Sequence, residues 1–253
     1  MPAMKDWDGS QWKDIKAIYY WNGSSWVKAK GAYYWDGSQW VQFWPPPFGA
    51  VLRSANGPST GSTGIGGDSS VIWHCDNYID KVYELSIADF SVVRSTDSPY
   101  VSPVGIGGDP SVIWHCDNYF DTLYELSTTD FSVVRKASSP STFPVGIGGD
   151  SSVIWHSDVD AAKVYELSTT DFSVVRSAGS PDVGPYGIGG DSSVIWNCAV
   201  NTGAKVYELS TTDFSVVRSA DSPDEIPYGI GGDSSVIWHC DNSTNKIYEL
   251  STG

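Results

Sequence analysis

The residues with the most chemical potential in this chain come in matched sets. His74, His115, His156 and His239 are followed by Cys75, Cys116, Ser157 and Cys240, and a fifth copy of the pair reads Asn197-Cys198. Imidazole beside thiol is the raw material of a zinc site or of a Cys–His nucleophile. A zinc site needs ligands that converge, and the chain has no Cys-x-x-Cys. Cysteines at one repeat position on neighbouring repeats lie beyond the roughly 7 Å that a disulfide spans. They are expected to be free, buried thiols acting as small hydrophobes. The histidines are expected to be structural, bonded to a neighbouring repeat. The alternative is a ring of imidazoles near a ligand face.

Asp68, Asp109, Asp150, Asp191 and Asp233 form a second set. Five such carboxylates around one axis can hold a cation. The competing reading is that each caps the turn that follows it. The loop Asp76-Asn77-Tyr78-Ile79-Asp80 has a calcium-like look, but it lacks the glycine and distal glutamate of an EF-hand loop. Gly-Ile-Gly-Gly lacks the Gly-Lys-Ser/Thr ending of a phosphate cradle. Catalysis needs unlike groups to converge, and identical groups repeated five times do not supply them. The sequence therefore leads to the expectation that the chain is not an enzyme and holds no cofactor or metal.

The elements that place these residues follow from the repeat itself. Gly-Ile-Gly-Gly-Asp stands at 64–68, 105–109, 146–150, 187–191 and 229–233, at spacings of 41, 41, 41 and 42 residues. Each copy continues into Val-Ile-Trp, then Tyr-Glu-Leu-Ser, with Val-Val-Arg closing the unit in the first four. A period near forty, rich in β-formers, predicts a four-stranded propeller blade. Glycine is poor in strands, but it suits an innermost strand where five sheets crowd around one axis. The chain enters on an outer-strand segment, Val51-Leu52-Arg53-Ser54, and leaves on a third strand, Lys246-Ile247-Tyr248-Glu249-Leu250. The first is expected to complete the last blade and close the ring, hiding the open edges. The fold class is all-β: a five-bladed β-propeller preceded by a small antiparallel β-meander.

That meander is read from a second repeat, of period 14: Trp7-Asp8-Gly9-Ser10-Gln11-Trp12, Trp21-Asn22-Gly23-Ser24-Ser25-Trp26 and Trp35-Asp36-Gly37-Ser38-Gln39-Trp40. Asp-Gly or Asn-Gly between aromatic segments is a hairpin signal, with positive φ expected at both turn residues. Ala17-Ile18-Tyr19-Tyr20 and Gly31-Ala32-Tyr33-Tyr34 supply strands between the turns, about six strands in all. The module is small for a core of its own and is expected to lean on a partner or on another copy of itself. Pro45-Pro46-Pro47 interrupts the sheet. The domains are therefore 1–44, an anchoring or oligomerising hairpin module; 45–49, a proline-rich linker; and 50–253, the propeller.

Charge limits the partners. The net charge is −15; residues 1–49 carry five lysines against four acids, and the remainder ten basic residues against 26 acids. Such a propeller repels nucleic acid and anionic lipid. No stretch reaches the ~20 apolar residues of a membrane span. The N-terminus has no apolar run of a signal peptide, so if the protein leaves a cell the expected route is another one, such as on a released virus particle.

Binding is sought where the copies differ. The first-to-second and third-to-fourth connections are nearly constant, whereas the second-to-third and fourth-to-first connections vary. In an antiparallel blade the two variable connections emerge on one face, and binding residues favour loops on a rigid scaffold. Neutral drift is the alternative, although the constant face is also made of loops and did not drift. The candidate ligand-binding residues on the variable face are Asp76, Asn77, Tyr78, Tyr100, Asp117, Asn118, Tyr119, Phe143, Tyr186, Tyr228, Asp241 and Asn242. Aromatic platforms beside carboxylates and amides suit sugars, and the same mix suits a protein surface.

Two resemblances add to this reading. Ser235-Val236-Ile237-Trp238 followed by Lys246-Ile247-Tyr248-Glu249-Leu250 resembles the blades of NHL-type and YVTN-type propellers across residues 51–253. Five short near-identical blades are also similar to tachylectin-type lectins, although those lectins' ligand motif is not recognisable. Trp21-Asn22-Gly23-Ser24-Ser25-Trp26-Val27-Lys28 resembles the Trp-Gly-x-Trp hairpins of bacterial and archaeal virus tail and fibre proteins, across residues 7–44. In such proteins the N-terminal part docks to the particle and the C-terminal part meets the host. The resulting expectation is a virion surface protein, extracellular on the particle. It would attach to other virion proteins, or to copies of itself, through residues 1–44. Its recognition face would meet a host carbohydrate or surface protein. The alternatives are a decoration protein with no ligand and a cellular lectin or interaction scaffold.

Overall fold

A computed structural model of the chain describes residues 5–7, 12–14, 18–29, 31–35, 37–38, 40–200 and 203–253. The first turn, 8–11, and positions 17, 36, 39, 201 and 202, all read above as strand, turn or loop, lie outside the described residues. Six short strands come first: β1 (Lys5–Trp7), β2 (Trp12–Asp14), β3 (Tyr19–Trp21), β4 (Trp26–Lys28), β5 (Ala32–Trp35) and β6 (Trp40–Trp44). Among the described residues they pair antiparallel as three two-stranded hairpins, forming the small antiparallel β module expected ahead of the propeller. The second turn differs from expectation. In the second hairpin only Gly23 takes positive φ, at +97°. Asn22 instead accepts hydrogen bonds through Oδ1 from the backbone N–H groups of Ser24 and Ser25, both at 2.9 Å. A side-chain cap of this kind holds a four-residue turn without placing asparagine in the left-handed region.

The propeller follows. β7 (Val51–Asn56) leads into the first blade, β8 (Ser62–Gly67), β9 (Ile72–Asp76), β10 (Lys81–Leu85) and β11 (Val92–Asp97), ordered from axis to rim. Blades two, three and four repeat this arrangement over residues 103–138, 144–179 and 185–221. Blade five contributes Pro227–Asp233, Val236–Asp241 and Lys246–Leu250, and β7 is its rim strand, as expected from the chain ends. The seam copies the register of an uninterrupted blade. Tyr248 faces Ser54 as Tyr83 faces Ser95, and the same bulge falls between Glu249 and Leu250 as between Glu84 and Leu85.

The core lies between blades. Trp114, Cys116 and Leu123 of blade two pack with Ile147, Ile154, Leu167 and Phe172 of blade three, and the other interfaces repeat this theme. At the axis the inner strands meet backbone to backbone. A Cβ on Gly107 would lie 2.8 Å from Gly148 Cα, so any side chain there forces the blades apart. The channel between them leaves no room for water.

At the rim each blade grips the next. Arg135 pairs with Glu125 of its own blade and donates to the carbonyl oxygens of Thr169 and Thr170 in blade three. Its guanidinium sits 4.7 Å from the centre of the Phe172 ring. Arg53, Arg94 and Arg176 make the same clasp. Arg218 finds no phenylalanine after Leu250, and Phe48 takes that place, 4.5 Å from the guanidinium and stacked on Trp196. Pro46 O accepts from Ser251 Oγ and Gly49 N donates to Ser251 O, both at 2.9 Å. Part of segment 45–49 is thus engaged with the propeller seam.

Candidate functional site

The two variable connections do emerge together. Asn77 N donates to Gly61 O at 3.0 Å and Asn242 N to Ile226 O at 3.0 Å, which ties each second-to-third loop to the connection entering its own blade. Asp80 Oδ1 accepts from Ser102 N at 2.8 Å and Asp121 Oδ1 from Phe143 N at 2.9 Å, which ties each such loop to the next blade as well. Rigid loops hold their side chains at a lower entropic cost when a ligand binds.

On this face one group stands out. Tyr100, Tyr119 and Phe120 of blade two form an exposed cluster, with ring centres 4.7 Å (Tyr100–Phe120), 4.9 Å (Tyr119–Phe120) and 6.1 Å (Tyr100–Tyr119) apart. Tyr119 is 63% exposed and Phe120 57%. Phe120 is absent from the candidates drawn from sequence. Its adjacency to Tyr119 in the same loop was the available signal. Tyr78 of blade one is 75% exposed. Phe143 is exposed in the connection entering blade three.

Tyr186 and Tyr228 are half-buried and form an edge-to-face pair at 4.7 Å. Tyr228 lines the end of the axial channel, and burial is the first cause that pushes its phenol well above the usual range. This pair plugs the axis rather than joining the blade-two cluster.

The acidic candidates are corrected. Asp76, Asp117 and Asp241 are fully buried. Asp76 Oδ1 accepts from Tyr78 N at 2.9 Å and Ile79 N at 3.2 Å, and Oδ2 from Gly61 N at 2.9 Å. Asp117 caps its loop through Phe120 N at 2.8 Å and accepts from Tyr124 Oη at 2.7 Å. Asp241 accepts from Thr244 N at 2.9 Å and Ile226 N at 2.8 Å. Each carboxylate spends its lone pairs folding its own loop. Asn77 is exposed; Asn118 is half-buried; Asn242 Nδ2 donates to Ser62 O at 3.0 Å, bridging blades five and one.

The other sets are structural too. The four histidines are fully buried, away from any ligand face. His115 Nδ1 lies 2.8 Å from Gly105 O and Nε2 3.2 Å from Ser98 Oγ. A carbonyl only accepts, so Nδ1 carries the proton. The partners are the histidine's own inner strand and the incoming connection, not the neighbouring blade that was expected. Asn197 Nδ2 makes the equivalent bond to Gly187 O at 2.8 Å. Burial lowers these imidazoles to about 4. The thiols are free and buried, and burial raises Cys75 and Cys198 to about 12.

The ring aspartates cap turns: Asp150 Oδ1 accepts from Ser152 N at 2.7 Å, Ser152 Oγ at 2.6 Å and Val153 N at 3.1 Å. Its Oδ2 accepts from Ser192 N of the next blade at 3.1 Å. With their glycines they surround a mouth of about 220 Å³ on the constant face. Among the described residues no three His, Cys, Asp or Glu side chains converge as a metal cage. No helix among them is long and apolar enough to cross a membrane.

A closed ring of five near-identical blades, constant on one face and varied on the other, defines a five-bladed β-propeller. No protein-family model and no curated protein sequence matches the chain. Solved structures do. Glutaminyl cyclase from Myxococcus xanthus superposes with a TM-score of 0.66 at 13% identity, over 79% of this chain and 94% of that one. Virginiamycin B lyase from Staphylococcus aureus gives 0.49 at 17% identity, over 84% and 70%. A streptogramin B lyase gives 0.47 at 20% identity, over 84% and 69%. The glutaminyl cyclase is an enzyme, so the expectation that this chain is not one is withdrawn. The glutaminyl cyclase shows that this frame is compatible with catalysis. At such identity the likeness extends to the fold alone and assigns no reaction.

Proposed function

We propose that the chain is a recognition protein of a virus tail or fibre, whose propeller presents the Tyr100–Tyr119–Phe120 face to a host carbohydrate. One observation carries the binding site: three exposed aromatic rings packed together on hydrogen-bonded loops, on the one face where the blades differ. Tyrosine and phenylalanine rings stack on the apolar face of a sugar, and the amides of Asn77 and Asn118 lie in the loops that frame the cluster. The acidic propeller disfavours nucleic acid as a partner.

Residues 1–44 would attach the propeller to other virion proteins or to copies of itself, placing it on the particle outside the cell. The Trp-Asn-Gly-Ser-Ser-Trp hairpin resemblance supports that placement, as does the exposure of Tyr19, Tyr20, Trp21 and Trp26 on the described hairpins. Isolated two-stranded ribbons are marginal in water, so such surfaces call for a cover.

The test is a glycan screen with the full-length chain and with a Tyr119→Ser/Phe120→Ser variant. Selective binding to one sugar class is expected, abolished in the variant with the melting temperature unchanged. Blank arrays for the wild type would sink the carbohydrate reading and favour a decoration role. Retained binding in the variant would move the site off blade two.

A further inference from the structure

Blade three breaks a pattern that the other aspartate-bearing blades keep. The residue just before each inner strand is Gly61, Ser102, Phe143 or Ile226 in blades one, two, three and five. In blades one and five its N–H donates to the Oδ2 atom of the buried aspartate, Asp76 at 2.9 Å and Asp241 at 2.8 Å. In blades two and three it adopts positive φ, 57° at Ser102 and 66° at Phe143. Its N–H turns instead to the loop of the preceding blade. Blade two compensates, because Tyr124 Oη donates to Asp117 Oδ2 at 2.7 Å.

Blade three has no such compensation. Asp158 is 0% exposed, and its Oδ1 accepts from Ala161 N at 2.7 Å. Its Oδ2 has no hydrogen-bond partner among the described residues. A buried carboxylate oxygen left bare destabilises the fold. The surroundings make a bare anion worse. Burial is the first cause that raises the Asp158 pKa; the Ala161 N–H and the nearby Ser141 hydroxyl pull it down, and Asp160 and Asp121 add like charge. Asp160 is held toward the incoming connection by Thr142 Oγ1, 3.3 Å from its Oδ2. Lys163 lies across the strand pair from Asp158, exposed and without an ion pair among the described residues.

We propose that Asp158 and Asp160, with oxygens of the connection at Ser141 and Thr142, bind a divalent cation of the calcium class. The donors are all hard oxygens, which suits calcium and offers nothing to zinc or copper. Two carboxylates, neutral oxygens and solvent form a partial cage. That matches weak sites with Kd of about 10⁻⁴–10⁻³ M, where calcium is plentiful outside cells. The inference is independent of the glycan reading, and it replaces the sequence expectation of no metal.

The experiment is thermal melting of the full-length protein in EDTA and in calcium chloride at about ten times that Kd range. Calcium is expected to raise the wild-type melting temperature by a few degrees. Asp158→Asn and Asp160→Asn should each remove the shift, and Asp233→Asn, in the ring on the opposite face, should keep it. No shift in the wild type overturns the proposal. So does a shift that survives in both variants, which places the ion elsewhere. Asp158→Asn raising the melting temperature equally with and without calcium would also overturn it, by assigning a proton to Oδ2.

Discussion

At the scale of single residues, the buried imidazoles link stability to pH. His74, His115, His156 and His239 are lowered to about 4 in the folded chain, from an ordinary value of 6.5, because burial disfavours the charged ring. Above 6.5 both folded and unfolded chains hold them neutral, so no stability depends on them there. As pH falls below 6.5 the unfolded chain takes up protons first, and stability is lost down to about 4. Each ring is worth on the order of 3 kcal/mol over that window. A melting series from pH 7 to pH 4.5 should show this fall. His115→Asn, built on the Asn197 precedent, should remove about a quarter of this fall, at a cost at pH 7 of about 1–3 kcal/mol for an amide oxygen left unpartnered as Asn197 Oδ1 is. An unchanged slope would mean that the imidazole is not the titrating group. Residues were also where the sequence was hardest to read. Asp76, Asp117 and Asp241 looked like loop surface because they sit beside Asn and Tyr. Their constancy in four of five copies, with Ala199 as the exception, was the sign that they fold the loop, as the ring aspartates do.

At the scale of elements, strand order, blade number and closure were all legible. Period-two alternation and a fixed forty-residue repeat leave few other ways to bury so many Trp, Tyr and Ile side chains. The clasps between blades were not legible, since a repeated Arg reads as a solvated rim residue until its partners in the next blade are seen. Arg135→Ala should cost about 2–3 kcal/mol in chemical denaturation, because it removes charge-assisted bonds and ring stacking together. Arg135→Lys should recover little, since an ammonium cannot reach two carbonyls and a carboxylate at once. Full rescue by lysine would reduce the clasp to simple charge. Phe48 closes the fifth clasp from outside the strand pattern. A chain beginning at residue 45 should therefore melt several degrees above one beginning at 50, and equal melting would show that the stacking on Trp196 is dispensable.

For the whole molecule, near-identical blades give near-identical interfaces, and function has to come from the exceptions. Blade two carries the aromatic cluster, blade three the unpaired carboxylate oxygen, and blades four and five the tyrosine plug. The sequence located the variable face because four connections could be compared within one chain. It could not rank the residues on that face. Which rings pack together depends on loop geometry that the repeat does not encode.

The seam has a mechanical meaning. β7 is the rim strand of blade five and also the strand that leads back to the N-terminal hairpins, and Ser251 N donates to Ala50 O at 2.9 Å beside it. Tension applied between the N-terminal hairpins and the face of the disc would enter the propeller through residues 45–49 and this strand. The load then falls on its antiparallel bonds with Lys246–Leu250, on the Arg53–Glu249 pair and on Phe48 wedged against Trp196. The ring would open under force at its one non-covalent joint, with the other four blades still closed.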